Sequence, residues 1–225
     1  MGFLSSTVGR KILMAITGFL LISFLCVHLL GNSLIYFNLI NAYGQKLHSM
    51  PPVVWIARIG MVILFAVHIF FGITLTLENN AARPEEYKVK KSLRATFAGK
   101  TMIWTGLVIA AFLIYHILHF AMKVTNPDIS HDLDELERDD VFKMIVFSFQ
   151  NILIAGVYII ALISVFLHLF HGIQSFVQTF GLNSDASIPV VEKTGKGIAF
   201  ILFLGYLSIP VAIVLGILKY TGING

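Results

Sequence analysis

Residues Ile12 to Tyr36 read ILMAITGFLLISFLCVHLLGNSLIY, an apolar run whose one histidine is His28. A bilayer core about 30 Å thick is crossed by a helix of about 20 apolar residues, and this run exceeds that length. Arg10 and Lys11 stand before it as they would in a secretory leader. The run is too long for a leader's apolar core, however, and no small-x-small cleavage pattern follows it. It is expected to stay in place as a spanning helix.

Working outward, four more runs of this kind appear, at Val53 to Leu77, Thr101 to Met122, Met144 to Phe176 and Gly197 to Lys219. The fourth is longer than a span requires and is expected to tilt or to extend past the membrane surface. The expected fold is all-α, an integral membrane five-helix bundle forming one domain over residues 1–225. Composition agrees: the chain is 57% hydrophobic and 12% charged, with a mean hydropathy of +0.84, where soluble domains carry about 25% charged residues. The single Cys26 excludes a disulfide framework, a cysteine zinc site and a Cys-x-x-Cys-His haem attachment.

The net charge of +4 is small, and the cations sit in short linkers rather than along one face, which argues topology and not nucleic-acid binding. Arg10 and Lys11 precede the first span. Arg83, Lys88, Lys90, Lys91, Arg94 and Lys100 lie between the second and third, and Lys193 and Lys196 precede the fifth. Retention of Lys and Arg on the cytoplasmic side puts these linkers and the N-terminus inside. The linker between the third and fourth spans carries Asp128, Asp132, Asp134, Glu135, Glu137, Asp139 and Asp140, and reads as a solvated outer loop.

Six of the eight histidines, His28, His68, His116, His119, His168 and His171, fall inside spans. An ionisable group at membrane depth is costly and marks a functional site by default. The first and third spans run outward, and His28 and His116 each come late in them, so both lie at one level near the outer face. The second and fourth run inward, which brings His68 and His168 to a second level near the inner face.

Local patterns repeat with the same pairing. Thr17-Gly18 precedes His28 by the spacing at which Thr105-Gly106 precedes His116, while His68-x-x-x-Gly72 matches His168-x-x-x-Gly172. Positions eleven apart differ by about 20° around a helix and positions four apart by about 40°, so each motif shares one face. Small residues there let a flat macrocycle approach the backbone. Thr17, Gly18, Thr105 and Gly106 are expected to line the inner level from two helices, with Gly72 and Gly172 flanking it from the other two. Bis-imidazole ligation of two b haems, one histidine from each of two facing helices, accounts for all four positions. Helical packing alone is the competing reading of the glycines. His119 and His171 stand three residues after a ligand and are candidate contacts for haem propionates.

Five spans, an inside N-terminus and two levels of paired histidines resemble the dihaem cytochrome b membrane anchor of succinate dehydrogenases and quinol:fumarate reductases. The most specific stretch is His168-Leu-Phe-His-Gly-Ile-Gln-Ser-Phe-Val-Gln-Thr-Phe-Gly181, which is similar to the family's fourth-helix signature. Thr17-Gly18 to His28-Leu-Leu-Gly-Asn32 resembles its first-helix signature, and Asn41-Ala-Tyr-Gly-Gln-Lys-Leu-His-Ser-Met-Pro51 its outer loop. The resemblance implies a distal haem on His28 and His116 and a proximal haem on His68 and His168. It also implies a bacterial cytoplasmic membrane, with iron-sulfur and flavoprotein subunits docked inside. A quinone site, with menaquinone favoured, is then expected near the outer ends of the first two spans. His48, Arg58, Asn38 and Lys46 are the polar groups available there. Phe166 stands where some fumarate-reducing members carry a glutamate of a transmembrane proton path.

The chain has no flavin or iron-sulfur motif, so dicarboxylate chemistry is expected on the other subunits. A competing class is a metal-ion transporter or membrane metalloenzyme built on His116-x-x-His119 and His168-x-x-His171. Such sites add carboxylate ligands at the same depth, and no expected span has an acidic residue in its core.

Overall fold

The computed structural model describes residues 2, 6–81, 97–182, 184 and 187–222. Arg83, Lys88, Lys90, Lys91 and Arg94 lie outside the described residues. Helices account for the architecture: α1 (Thr7–Ser33), α2 (Ile40–His48), α3 (Pro51–Ala81), α4 (Phe97–Lys100), α5 (Met102–His116), α6 (Pro127–Ser130), α7 (Val141–Gln150), α8 (Ile152–Thr179) and α9 (Ile188–Val214). Among the described residues five stretches are long and apolar enough to cross a membrane: Thr7–Phe37, Pro51–Ala81, Met102–Ala121, Ile152–Thr179 and Ile188–Val214. The protein is an all-helical, multi-pass membrane protein.

Local chemistry sets the helix boundaries. Ser6 caps α1 by accepting a hydrogen bond from the Gly9 amide at 3.0 Å. Pro51 opens α3, where a missing N–H costs nothing. Ser33 ends α1, and a 3-10 turn over Leu34–Phe37 carries the chain on to Asn38, which takes the left-handed conformation at φ 56°. The fourth run departs from expectation, because it is not one continuous helix. Asn151 is extended and its side chain accepts from the Leu153 amide at 3.0 Å, so it ends α7 and caps α8. The fifth span also starts earlier and stops sooner than its apolar run, since Ser187 and a proline at its first turn start it. It ends at Val214, before Gly216 at φ +69°.

Four spanning helices form a ring. α1 packs against α3 and α8, and α5 packs against α8 and more lightly against α3. α1 is therefore diagonal to α5, and α3 to α8. α9 lies outside this ring against α8 and α1. Large apolar side chains such as Val27, Leu30, Ile56, Val62, Phe70, Trp104 and Ile201 point outward, as lipid contact requires.

A cap of α2, α6 and α7 closes the end of the bundle away from Arg10. Ile35, Ile40, Phe142, Val146 and Phe149 are buried there with Tyr158, Ile209 and Ile213. Asn41, also buried, joins the pieces: its amide nitrogen reaches Asp134 and Asp140, each at 3.2 Å, and its oxygen accepts from the Phe142 amide at 2.9 Å. The acidic loop is consequently more than a hydrated connection. It is pinned by Lys123 to Asp139 at 3.1 Å, Arg138 to Asp134 at 2.7 Å and Lys143 to Asp132 at 2.6 Å. At the other end, Arg10 of α1 pairs with Glu78 of α3, and Lys196 pairs with Glu192 within α9.

Candidate functional site

The ring of helices brings four histidines to its interior as two pairs, each drawn from diagonal helices. His28 of α1 and His116 of α5 have ring centres 6.0 Å apart with planes crossed at 87°. His68 of α3 and His168 of α8 are 6.3 Å apart and crossed at 66°. The two pairs occupy different levels. Gly18 lies against His68 and Gly106 against His168. Each glycine is ten residues from the other histidine of its own helix, about 15 Å along the axis.

The inner pair is held by a repeated arrangement. Thr17 Oγ1 is 3.1 Å from His68 Nδ1, and Thr105 Oγ1 is 3.2 Å from His168 Nδ1. A Cβ on Gly18 would stand 3.3 Å from His68 Cε1, and one on Gly106 would stand 3.4 Å from His168 Cε1. Each glycine thus lets a ring from a neighbouring helix approach its backbone. Gly72 and Gly172 face the terminal methyls of Met14 and Met102, at 3.3 and 3.6 Å from where a Cβ would be. The α1/α3 and α5/α8 halves therefore repeat each other. Met14-x-x-Thr17-Gly18 and Met102-x-x-Thr105-Gly106 show that the repeat is longer than the Thr-Gly pair.

The outer pair is held differently. His28 stacks on Phe24, ring centres 5.2 Å apart, and lies beside Tyr206. The Tyr206 hydroxyl donates to the Leu25 carbonyl at 2.7 Å, which ties α9 to α1 at this level. Tyr158 of α8 places its hydroxyl 3.4 Å from His116 Nδ1 and 2.9 Å from His119 Nδ1. His119 Nε2 in turn meets Ser148 Oγ and Asn126 Nδ2, both at 3.0 Å. After His116 the backbone widens into a π-helical turn over Ile117–Ala121, with the Met122 amide bonding to the Ile117 carbonyl at 2.8 Å. Such turns accompany functional sites often.

The structure separates the two remaining membrane histidines. His119 is fully buried with both ring nitrogens met by protein groups. His171 has a buried Nδ1 with no partner. The outer polar residues have separate settings. His48 Nδ1 is 3.4 Å from Asp139, Arg58 lies over the Trp55 ring at 5.4 Å, and Asn38 and Lys46 are exposed. Tyr158 and Ser148 were not evident in the sequence, since their partners lie 29 to 42 residues away and leave no local pattern. Met14 and Met102 were within reach of the same repeat that revealed the threonines.

Two imidazoles binding one metal ion from opposite sides, with bonds of about 2 Å, put their ring centres roughly 6 Å apart. Both pairs meet that requirement, and the glycines and the unpartnered His171 Nδ1 suit a flat group with polar edges. The residues fit a bis-histidine haem at each level. Among the described residues no group of three or more His, Cys, Asp or Glu is placed to hold a metal ion, so the His-x-x-His motifs lack the third donor of a metal-ion site. No family model, no curated protein and no solved structure matches the chain.

Proposed function

We propose that this protein is a dihaem cytochrome b that anchors a succinate dehydrogenase or fumarate reductase complex and conducts electrons between its iron-sulfur subunit and a membrane quinone. The observation that carries the reading is the pair of crossed imidazole couples, 6.0 and 6.3 Å between ring centres, at two levels of one helical ring. The signatures at Thr17 to Asn32, Asn41 to Pro51 and His168 to Gly181 direct it to this family rather than to another dihaem carrier.

Each residue then has a part. His28 and His116 hold the distal haem iron, and His68 and His168 the proximal one. Bound b haem supplies reversible one-electron carriage at a potential set by its surroundings. Gly18 and Gly106 give the imidazoles of His68 and His168 room against the backbone, Gly72 and Gly172 do the same for the methyls of Met14 and Met102, and His171 Nδ1 is available to a propionate carboxylate. His119 instead supports the distal site through Tyr158. The outer rim, with His48, Arg58, Asn38 and Lys46, is where a quinone, menaquinone by family resemblance, would exchange protons with water. The flavoprotein and iron-sulfur subunits sit at the cytoplasmic end, beside the proximal pair, and carry the dicarboxylate chemistry.

Dithionite-reduced minus oxidised spectra of membranes containing the protein test this reading. The expected result is a b-type signal corresponding to two haems per chain, with His28→Ala and His68→Ala each removing about half of it and from different components. A protein without b-type absorbance overturns the reading. Loss of the same component in both variants overturns the two-level pairing.

A further inference from the structure

We propose that Thr17 and Thr105 are positioning residues that fix the tautomer and ring orientation of the proximal ligands His68 and His168; this rests on the dihaem reading above. The argument begins with a count of protons. A threonine hydroxyl has one, and in Thr17 it is taken up by its own helix, with Oγ1 2.8 Å from the Leu13 carbonyl and 3.1 Å from that of Met14. Carbonyl oxygens only accept, so toward His68 Nδ1, 3.1 Å away, the hydroxyl is left with lone pairs. An acceptor lone pair facing Nδ1 requires that nitrogen to carry the proton. The lone pair of the neutral ring is then left on Nε2, the nitrogen that would bind iron.

The same count applies across the pseudo-repeat. Thr105 Oγ1 lies 3.2 Å from the Thr101 carbonyl and 3.0 Å from that of Met102, and 3.2 Å from His168 Nδ1. Both threonines are buried, which leaves the ring N–H no water to turn to. Gly18 and Gly106, next in sequence, remove the Cβ that would otherwise crowd the held ring. Threonine thus does more than pack against a haem face. Each half of the repeat supplies a ligand-orienting acceptor for a histidine on its neighbouring helix, the arrangement by which outer partners fix ligands and raise their basicity at metal sites.

The outer pair has no such threonine, so the effect should be confined to one haem. Thr17→Val and Thr105→Val keep the branched shape and delete the acceptor. Thr17→Ser and Thr105→Ser keep the acceptor. Redox titration and ferric EPR of the purified protein are the readouts. The expected result for each Val variant is a rise in the proximal midpoint potential, because the ligand donates less charge, together with a shifted low-field EPR feature. The distal haem stays at its original values, and the Ser variants return both proximal values to those of the unsubstituted protein.

Complete loss of the proximal haem in a Val variant, restored by Ser, supports the same role. Val variants with unchanged proximal potential and EPR overturn it, as does a defect that Ser fails to restore. The two threonines are substituted singly, so that if one Val variant fails to accumulate the other decides. A protein with no haem signal at all before substitution would sink the dihaem reading instead.

Discussion

Asp134 accepts four hydrogen bonds on its carboxylate within the cap. Its Oδ1 accepts from the backbone amides of Leu136 and Arg138, both at 3.0 Å, and its Oδ2 meets Arg138 Nε at 2.7 Å and Asn41 Nδ2 at 3.2 Å. Burial works against this anion, but the hydrogen bonds from Arg138, Leu136 and Asn41 outweigh it and hold the carboxyl below its ordinary value. A depressed carboxylate contributes stability that is complete above the unfolded-state pKa of about 3.9 and disappears as pH falls through the lower folded value. Asp134→Asn should therefore lower the thermal midpoint of the detergent-solubilised protein near neutral pH. The gap between variant and parent should narrow once pH falls below about 4. A gap that stays constant across that range would show that the charge on Asp134 does not hold the loop. At this scale the four paired histidines and the two threonines were legible as positions, because each belongs to a spacing that repeats. What the threonine hydroxyls do was not, since a proton count needs the partner on another helix. Tyr158 escaped for a related reason: a lone hydroxyl in an apolar run has no periodicity to betray it.

Among elements, α9 shows how a helix outside the four-helix ring can set a position within it. Gly205 of α9 is so close to Leu29 of α1 that a Cβ would stand 2.6 Å from Leu29 Cδ2. Leu29 is the neighbour of His28, and Tyr206 bonds to the Leu25 carbonyl one turn away. Gly205→Ala forces that contact apart at a cost of about 1–3 kcal/mol, the usual range for overpacking. Thermal unfolding should show the loss, while Gly197→Ala, in the same helix with nothing within 4 Å, serves as the control and should be neutral or slightly stabilising. Equal midpoints for the two variants would mean that α9 does not clamp α1. The five spans were readable from hydropathy because lipid imposes a length on them. The break at Asn151 was not, since Val141, Phe142, Ile145, Val146 and Phe149 are as apolar as a span. Those residues are apolar because they are buried within the cap or packed against it, not because they face lipid. Hydropathy does not distinguish the two causes.

Over the whole molecule, the two ends of the bundle differ in how their charges are used. At the end holding the acidic loop, Lys123, Arg138 and Lys143 are each bound to an aspartate of that loop. At the opposite end lie Arg10, Lys11, Lys100, Lys193 and Lys196, and the linker with Arg83, Lys88, Lys90, Lys91 and Arg94 joins helices there. By the retention of Lys and Arg on the cytoplasmic side, the proposed insertion is the one with this second end inside. That proposal reaches the site, because it would put the pair His68 and His168, beside Thr17 and Thr105, in the cytoplasmic half and the pair His28 and His116 in the outer half. On the proposed function, electrons from a docked cytoplasmic subunit would meet the threonine-held pair first, and exchange with quinone would fall to the pair linked through Tyr158 and His119 to the cap of α2, α6 and α7. Alkaline phosphatase, active only after export, reports the orientation when fused in turn after Ser130 and after Ser187. The expected outcome is activity from the first fusion and none from the second, with a cytoplasmic reporter such as β-galactosidase giving the reverse. Activity from the second fusion alone would invert the molecule, place His28 and His116 beside any cytoplasmic partner, and exchange the roles given to the two pairs.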